Sequence, residues 1–282
     1  MNIQKIASFS DGSLGGNPAG VVLCDAMPSP NVMQSLAAEV GFSETVFARP
    51  LAPDAPFENW QARYFSPESE VPFCGHATIA LGAALALQHG NGEFALTLND
   101  AQITVTGEKV GDTLKAALQS PPTQSRAAPS NITAHALALF GYSRENLAGT
   151  LPPALAHAGA NHLILALNNR STLAKMQYDL DAGRAFMRTH NLVTIALIHA
   201  ETPTTFHAHN AFASGGVLED PATGAAAAAL GGYLRDINWP HHGQIDIIQG
   251  EDMGMRSLLH ADISDVPGSS IRISGMARII GH

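Results

Sequence analysis

Glu70-Val71-Pro72-Phe73-Cys74-Gly75-His76-Ala77-Thr78, running into the apolar segment Ile79 to Leu87, is the stretch whose reading decides the fold. Pro72 pushes Val71 out of the helical region, so a strand is expected to end there. Gly75 permits a tight turn that a Cβ would crowd. From Ala77 the chain is apolar on every face, for long enough to make about three helical turns. A helix apolar all round is a buried one. Its first backbone N–H groups have no partner within the helix, and its dipole is positive at that end. That is a place for an anion, with the thiol of Cys74 and the imidazole of His76 beside it.

A second stretch has the same design. Asp220-Pro221-Ala222-Thr223-Gly224-Ala225-Ala226 leads into Ala227-Ala228-Ala229-Leu230-Gly231-Gly232-Tyr233-Leu234. When Gly75 is laid on Gly224, Leu81 falls on Leu230, Gly82 on Gly231, Leu85 on Leu234 and Pro72 on Pro221. Alanine runs align by chance, but the glycine, leucine and proline matches point to an internal duplication. Each half is expected to be built on one buried helix, with its sheet curled round that helix.

Composition narrows the function. At 282 residues two domains are expected, and with 14% charged residues the chain reads as compact and globular. A net charge of −9 argues against nucleic acid and anionic membranes as partners. Two cysteines, Cys24 and Cys74, form neither a disulfide framework nor a zinc spacing. The opening Met1 to Gly12 lacks the apolar core of a signal peptide, and no apolar run spans a bilayer. A cytoplasmic protein is expected.

In order, strands are expected at 3–9, 20–24, 43–48 and 60–65. A helix from Pro30 to about Val40 is capped by Ser29 and ended by Gly41. The buried helix takes about 75–88, and strands at 94–98, 103–105 and 114–118 follow. Residues 119–130, rich in Pro and Ser, read as a linker between an N-terminal lobe, 1–118, and a C-terminal lobe, 131–271. The last strand, about 272–282, packs back on the first lobe. In the second lobe, helical patterns cover 131–140, 143–148 and a long region, 170–189. Strands are expected at 162–167, 192–199, 204–212, 244–249 and 256–263, with the second buried helix at 223–235.

Glu44 sits between Phe42 and Val46-Phe47, and alternation puts it on one strand face with Val46 and Ala48. A carboxylate among apolar neighbours loses solvation, which moves its pKa toward the range useful for proton transfer. The alternative is a strand-end glutamate in water. Asp220 precedes Pro221 at a helix start, where it either serves chemistry or only stabilises the helix. His76 at the other helix start is a neutral base, a hydrogen-bond donor or a satisfied core histidine. Cys74 is either a thiolate favoured by the helix end or a buried thiol. Its counterpart is Thr223, which cannot serve as a second base. His207 and His209 share a strand face with no third metal ligand in evidence, and no serine lies in a G-x-S-x-G context.

Phe9, Gly16-Asn17-Pro18-Ala19, Gly41-Phe42-Ser43-Glu44-Thr45, Arg63-Tyr64-Phe65-Ser66-Pro67, the 70–78 stretch and Glu219-Asp220-Pro221-Ala222-Thr223-Gly224 come in a telling order. In order and spacing they resemble the phenazine-biosynthesis PhzF-like isomerases, which share a fold superfamily with diaminopimelate epimerase. The resemblance spans nearly the whole chain. It implies an α/β (α+β) fold of two similar lobes, each a mixed curled β-sheet around a central helix, with the active site in the cleft between them. It implies cofactor-independent proton transfer on a small carboxylate or amino-acid-like substrate, no metal, and a homodimer. By the same resemblance Glu44, His76 and Asp220 are catalytic, Glu44 being the proton carrier. Asn17, Cys74, Gly75, Thr223, Gly224 and Ala225 bind substrate.

Three positions depart from the family pattern. Ala225 stands where a serine usually follows Thr-Gly, which removes one donor to the substrate. His209-Asn210-Ala211-Phe212 stands where Arg-x-Phe is common, and Gly254-Met255-Arg256-Ser257 replaces Gly-Arg-Pro-Ser. Two other readings stay open beside the isomerase: a non-catalytic small-acid binder marked by Ala225, and a thiol-based racemase using Cys74.

Overall fold

A computed structural model describes residues 1–52, 59–99 and 101–280. The chain divides into two compact units, Met1–Gln119 with Ser274–His282, and Ser120–Ile273. The first contains β1 (Gln4–Ser8), β2 (Asn17–Leu23), α1 (Pro30–Val40), β3 (Glu44–Pro50), β4 (Asn59–Phe65), β5 (Glu70–Val71), α2 (Gly75–His89), β6 (Gly92–Thr97), β7 (Gln102–Val110) and β8 (Thr113–Gln119). The second contains β9 (Gln124–Ala127), α3 (Ser130–Leu139), β10 (Ala154–His157), β11 (Asn161–Ala166), α4 (Arg170–Leu173) and α5 (Leu180–Thr189). It continues with β12 (Thr194–Ala200), β13 (Thr205–Ala211), β14 (Glu219–Asp220), α6 (Gly224–Asp236), β15 (Gln244–Gln249) and β16 (Ser257–Asp262). The last strand, β17 (Arg272–Ile279), pairs antiparallel with β1 through Ile6↔Ile279. Positions 281 and 282 of the expected last strand lie outside the described residues.

The two units repeat one topology. In the first, β1–β2 and β3–β4 pair antiparallel while β2–β3 and β4–β6 pair parallel. In the second, β10–β11 and β12–β13 are antiparallel while β11–β12 and β13–β15 are parallel. Parallel neighbours require a crossover, and each unit makes two. α1 and the α4–α5 pair serve one crossover, α2 and α6 the other. The short strands β5 and β14, paired to β4 and β13, fall on each other under the shift that carries Gly75 to Gly224.

The all-round apolar pattern explains where α2 lies. Its residues from His76 to Ala86 are buried, and it packs against β1, β2, β3, β7 and β8. Ile6, Val21, Val46, Trp60, Tyr64, Leu96 and Val105 share its core. Full burial of a leucine such as Leu81 or Leu85 stabilises by about 1.5–3 kcal/mol. Alternation along β3 splits its side chains: Val46 and Ala48 face the α2 core, whereas Phe47 joins Met33, Ala37 and Phe65 under α1. Glu44 is in phase with Val46, so strand geometry sends it to the α2 side at the strand's first residue.

Three expectations are corrected. Within the 119–130 stretch, Gln124–Ala127 forms β9, pairing with β10 through Ser125↔Ala156. Its side chains are mostly exposed, so no apolar alternation marks it. The 170–189 region is two helices, because Asp179 accepts from the Ala182 N–H (2.8 Å) and caps a new start. The 143–148 pattern yields only a single 3₁₀ turn, Arg144–Asn146. No helix among the described residues is long and apolar enough to cross a membrane.

α2 lies on β7 backbone to backbone. A Cβ on Gly107 would sit 2.0 Å from the Gly82 carbonyl oxygen, and one on Gly82 would meet Val105 Cγ2 at 2.6 Å. Gly107→Ala is expected to lower unfolding free energy by about 3 kcal/mol, read by urea denaturation, because the opposing atom is backbone and cannot turn aside. Gly111→Ala, facing open space, tests only the strain of its positive φ and should cost less.

Candidate active site

In the first unit the sequence-read residues meet at the start of α2. Glu44 begins β3, and its Oε2 is 3.4 Å from His76 Nε2, with the two side chains 12% and 6% exposed. Cys74 is the N-cap residue of α2, and its Sγ lies 3.2 Å from His76 Nδ1. Ser43 Oγ is 3.4 Å from His76 Nε2. Gly75 is the first residue of the helix. Asn17, buried, begins β2 two residues before Ala19, the register partner of Glu44.

The backbone beneath this centre is pinned. Ser8 Oγ donates to the His76 carbonyl (2.6 Å). Thr78 donates to the Cys74 carbonyl from both its N–H (3.0 Å) and its Oγ1 (2.7 Å). With that proton used, the Tyr64 hydroxyl is the donor to Thr78 Oγ1 (2.7 Å). Burial holds the Tyr64 phenol far above its usual range, so it stays protonated as this role requires. Arg63 clamps the Pro72 turn by a forked pair to Glu70, 2.8 and 2.6 Å, with Asn99 on the same carboxylate.

Ligand atoms of Glu44, Cys74 and His76 lie within 4.8 Å of one another. The imidazole offers Nδ1 to the thiol and Nε2 to the carboxylate. The two partners lie on different nitrogens of the ring. The positive end of α2 beneath disfavours a cation.

The second unit holds Asp220, Thr223, Gly224 and Ala225 at the start of α6. Thr223 Oγ1 donates to Asp220 Oδ2. Gln249, 1% exposed at the end of β15, holds this turn. Its Nε2 donates to the Asp220 carbonyl (2.6 Å) and to Thr223 Oγ1 (3.1 Å), and its Oε1 accepts from the Thr223 N–H (3.2 Å). Gly250 then leaves room for Pro221, whose carbonyl oxygen a Cβ would meet at 2.8 Å. Gln249 was readable: it shares the buried phase of Ile245 and Ile247, where a polar residue needs partners.

His207 and His209 are engaged by carboxylates. His207 Nδ1 is 2.6 Å from Glu251, and its Nε2 3.3 Å from Glu201. His209, buried, lies 2.9 Å from Glu219 through Nδ1 and 2.8 Å from Asp252 through Nε2. Arg170 pairs with both Glu251 and Asp252. Burial pulls the His209 pKa down, but Glu219 and Asp252 outweigh it and hold the imidazole above its ordinary 6.5. Burial raises the Glu251 and Asp252 carboxyls, and Arg170 with the histidines brings both below their usual range.

The chain matches the model of a family described as phenazine biosynthesis-like proteins (PhzC-PhzF) over residues 6–282. It is 30% identical to an uncharacterized isomerase of Mesorhizobium japonicum, covering 97% of this chain and 93% of that one. It is 28% identical to the trans-2,3-dihydro-3-hydroxyanthranilate isomerase of Pseudomonas fluorescens, covering 92% and 89%. A solved PhzF-family phenazine biosynthesis protein of Bacillus anthracis has the same fold, with a TM-score of 0.83 at 20% identity over 99% of this chain and 96% of that one.

Gln249→Leu strands a backbone N–H and a backbone carbonyl, and is expected to cost about 3 kcal/mol and speed exchange of the Thr223 amide. The His209 network gives a pH signature. A raised histidine pKa stabilises fully below 6.5, and the gain is lost as pH rises through the higher folded value. The lowered carboxyls stabilise above their ordinary 4.5 and 3.8, and that gain is lost as pH falls through their folded values. Stability from this network should therefore peak at roughly pH 4.5–6.5. His209→Asn should cost about 3 kcal/mol at pH 6 and less at pH 9, measured by denaturant titration.

Proposed function

We infer that this chain, which belongs to the phenazine biosynthesis-like PhzC-PhzF family, is an isomerase. We propose that it moves a proton on a small carboxylate substrate without a cofactor, with Glu44 as acid and base. The observation that carries this is the Glu44 carboxylate, nearly buried and 3.4 Å from the His76 imidazole, at the start of a buried helix. The first N–H groups of α2 would hold the substrate carboxylate, and the dipole would stabilise negative charge as it develops on the substrate. Glu44 takes a proton from carbon beside an activating group and returns it at another carbon. His76 shares that proton through Nε2, and Ser43 fixes the ring.

Asp220 and Thr223 are the proposed contribution of the second motif, with Gly75, Gly224, Ala225, Asn17 and Cys74 as substrate contacts. The Pseudomonas fluorescens relative is named for an amino-acid-like carboxylate, which supports that substrate class. Ala225 and Asn210 replace a hydroxyl and a guanidinium of the family pattern. The substrate proposed here therefore draws fewer hydrogen bonds from the second motif than the dihydro-hydroxyanthranilate does. A cytoplasmic homodimer belongs to the same proposal.

The test is incubation in heavy water with a set of amino and hydroxy acids, read by mass spectrometry and NMR. Deuterium is expected at one or two carbons of an acid that also raises Tm, and Glu44→Gln should slow the exchange by about 10²-fold or more. An acid that raises Tm yet never exchanges would favour a binding protein. Exchange untouched by Glu44→Gln would remove the role of Glu44.

A further inference from the structure

The imidazole of His76 stands in series between two groups of different chemistry. On one side Nδ1 meets the Cys74 thiol at 3.2 Å, and on the other Nε2 meets the Glu44 carboxylate at 3.4 Å. An activated nucleophile needs a base within hydrogen-bond reach and a third group that orients the base. Cys74 and His76 are the first two, and Ser43 Oγ, 3.4 Å from Nε2, orients the ring with Glu44 beside it. The ring is 5% exposed, and its backbone carbonyl is tied down by Ser8. The residue is partly exposed, and it caps a helix of 15 residues, whose positive end favours thiolate.

The second motif provides a contrast within the same chain. The shift that carries Gly75 to Gly224 puts Thr223 in place of Cys74 and Ala225 in place of His76. It supplies neither thiol nor imidazole, and the Thr223 hydroxyl donates to Asp220. The series is confined to the first unit. The duplicated helix start does not require it.

We propose that Cys74 is a nucleophile and that this centre also transfers acyl groups from small activated esters or thioesters to water. His76 Nδ1 takes the thiol proton as Sγ attacks the carbonyl carbon and forms a C–S bond. The first N–H groups of α2 stabilise the oxyanion. The bond to the leaving oxygen or sulfur breaks, and His76 gives that group its proton. Water, deprotonated by His76, then attacks the thioester carbon. The C–S bond breaks, the acid leaves, and the thiol recovers its proton. Glu44, 3.4 Å from Nε2, steadies the positive charge that the ring carries while it holds the proton. This activity uses residues of the proposed isomerase centre but does not rest on isomerisation.

The experiment uses the full chain, p-nitrophenyl acetate and iodoacetamide. A burst of p-nitrophenolate with one acetyl group on the Cys74 peptide is expected by mass spectrometry. Cys24 is the internal control: its thiol donates to the Ala48 carbonyl, and burial pushes its pKa up. At pH 6 iodoacetamide should label Cys74 at least about ten-fold faster than Cys24. The Cys74 rate should hold a plateau below pH 7 that His76→Asn removes. The wild-type profile alone decides the matter where that variant fails to fold. Acetyl on other residues but not on Cys74 would overturn the proposal. So would Cys74 labelling that rises only with an ordinary thiol ionisation, above about pH 8. Neither readout involves the isomerase substrate, so failure here leaves the deuterium-exchange test of Glu44 standing.

Discussion

The constraint on which the rest depends is that α2 has no polar face. A helix of this kind is stable only where protein surrounds it, and β1, β2, β3, β7 and β8 supply the surroundings. The approach is close enough that Gly82 and Gly107 meet through backbone, which fixes the helix axially as well as laterally. Once the helix is held, its N-terminus is held too. Cys74, Gly75 and His76 then occupy positions set by the core, not by a loop. Glu44 reaches them because β3 alternates and Val46, in phase with it, packs in the same core. The geometry of the proposed site is an end effect of burial.

The legible parts of the sequence were those where one short rule decides. The proline and glycine around residues 72–75 and 221–224 marked both buried helices, and α2 and α6 begin at Gly75 and Gly224. Strand alternation put Glu44 on the correct face before His76 could be measured against it. The illegible parts were those where partners decide. β9 is an exposed strand recognisable only by what it pairs with. The break at Asp179 needed its side chain to choose capping over solvent. The buried phase of Gln249 was legible, but not the turn its three bonds reach more than twenty residues earlier.

His207 and His209 show how spacing can mislead. Two imidazoles on alternate residues of a strand suggest a metal, but each is taken by carboxylates from other elements. Those carboxylates, Glu201, Glu219, Glu251 and Asp252, are invisible as partners in the one-dimensional pattern. Arg170 shares two of them, so the cluster ties together β13, β14, α4 and the turn after β15. Its exposure differs from residue to residue, and only the His209–Glu219 pair is sheltered enough to escape the screening that weakens surface pairs.

That sheltered pair has a counterpart. Arg63 precedes Tyr64, whose register partner is Val71, and it clamps Glu70. His209 precedes Asn210, whose register partner is Asp220, and it clamps Glu219. An ion pair closes the same short strand in both units, once with a guanidinium that is always charged and once with an imidazole that titrates. The duplicated frame therefore tolerates a change of cation where the bond only has to hold a turn. It does not repeat the imidazole at the helix starts, where His76 lies beside Glu44 and its counterpart Ala225 has no polar side chain. At the helix starts the glycine and proline are shared, whereas Thr223 and Ala225 stand in place of Cys74 and His76. That is the distribution expected if one half kept the proton-handling groups and the other kept the anchoring turn.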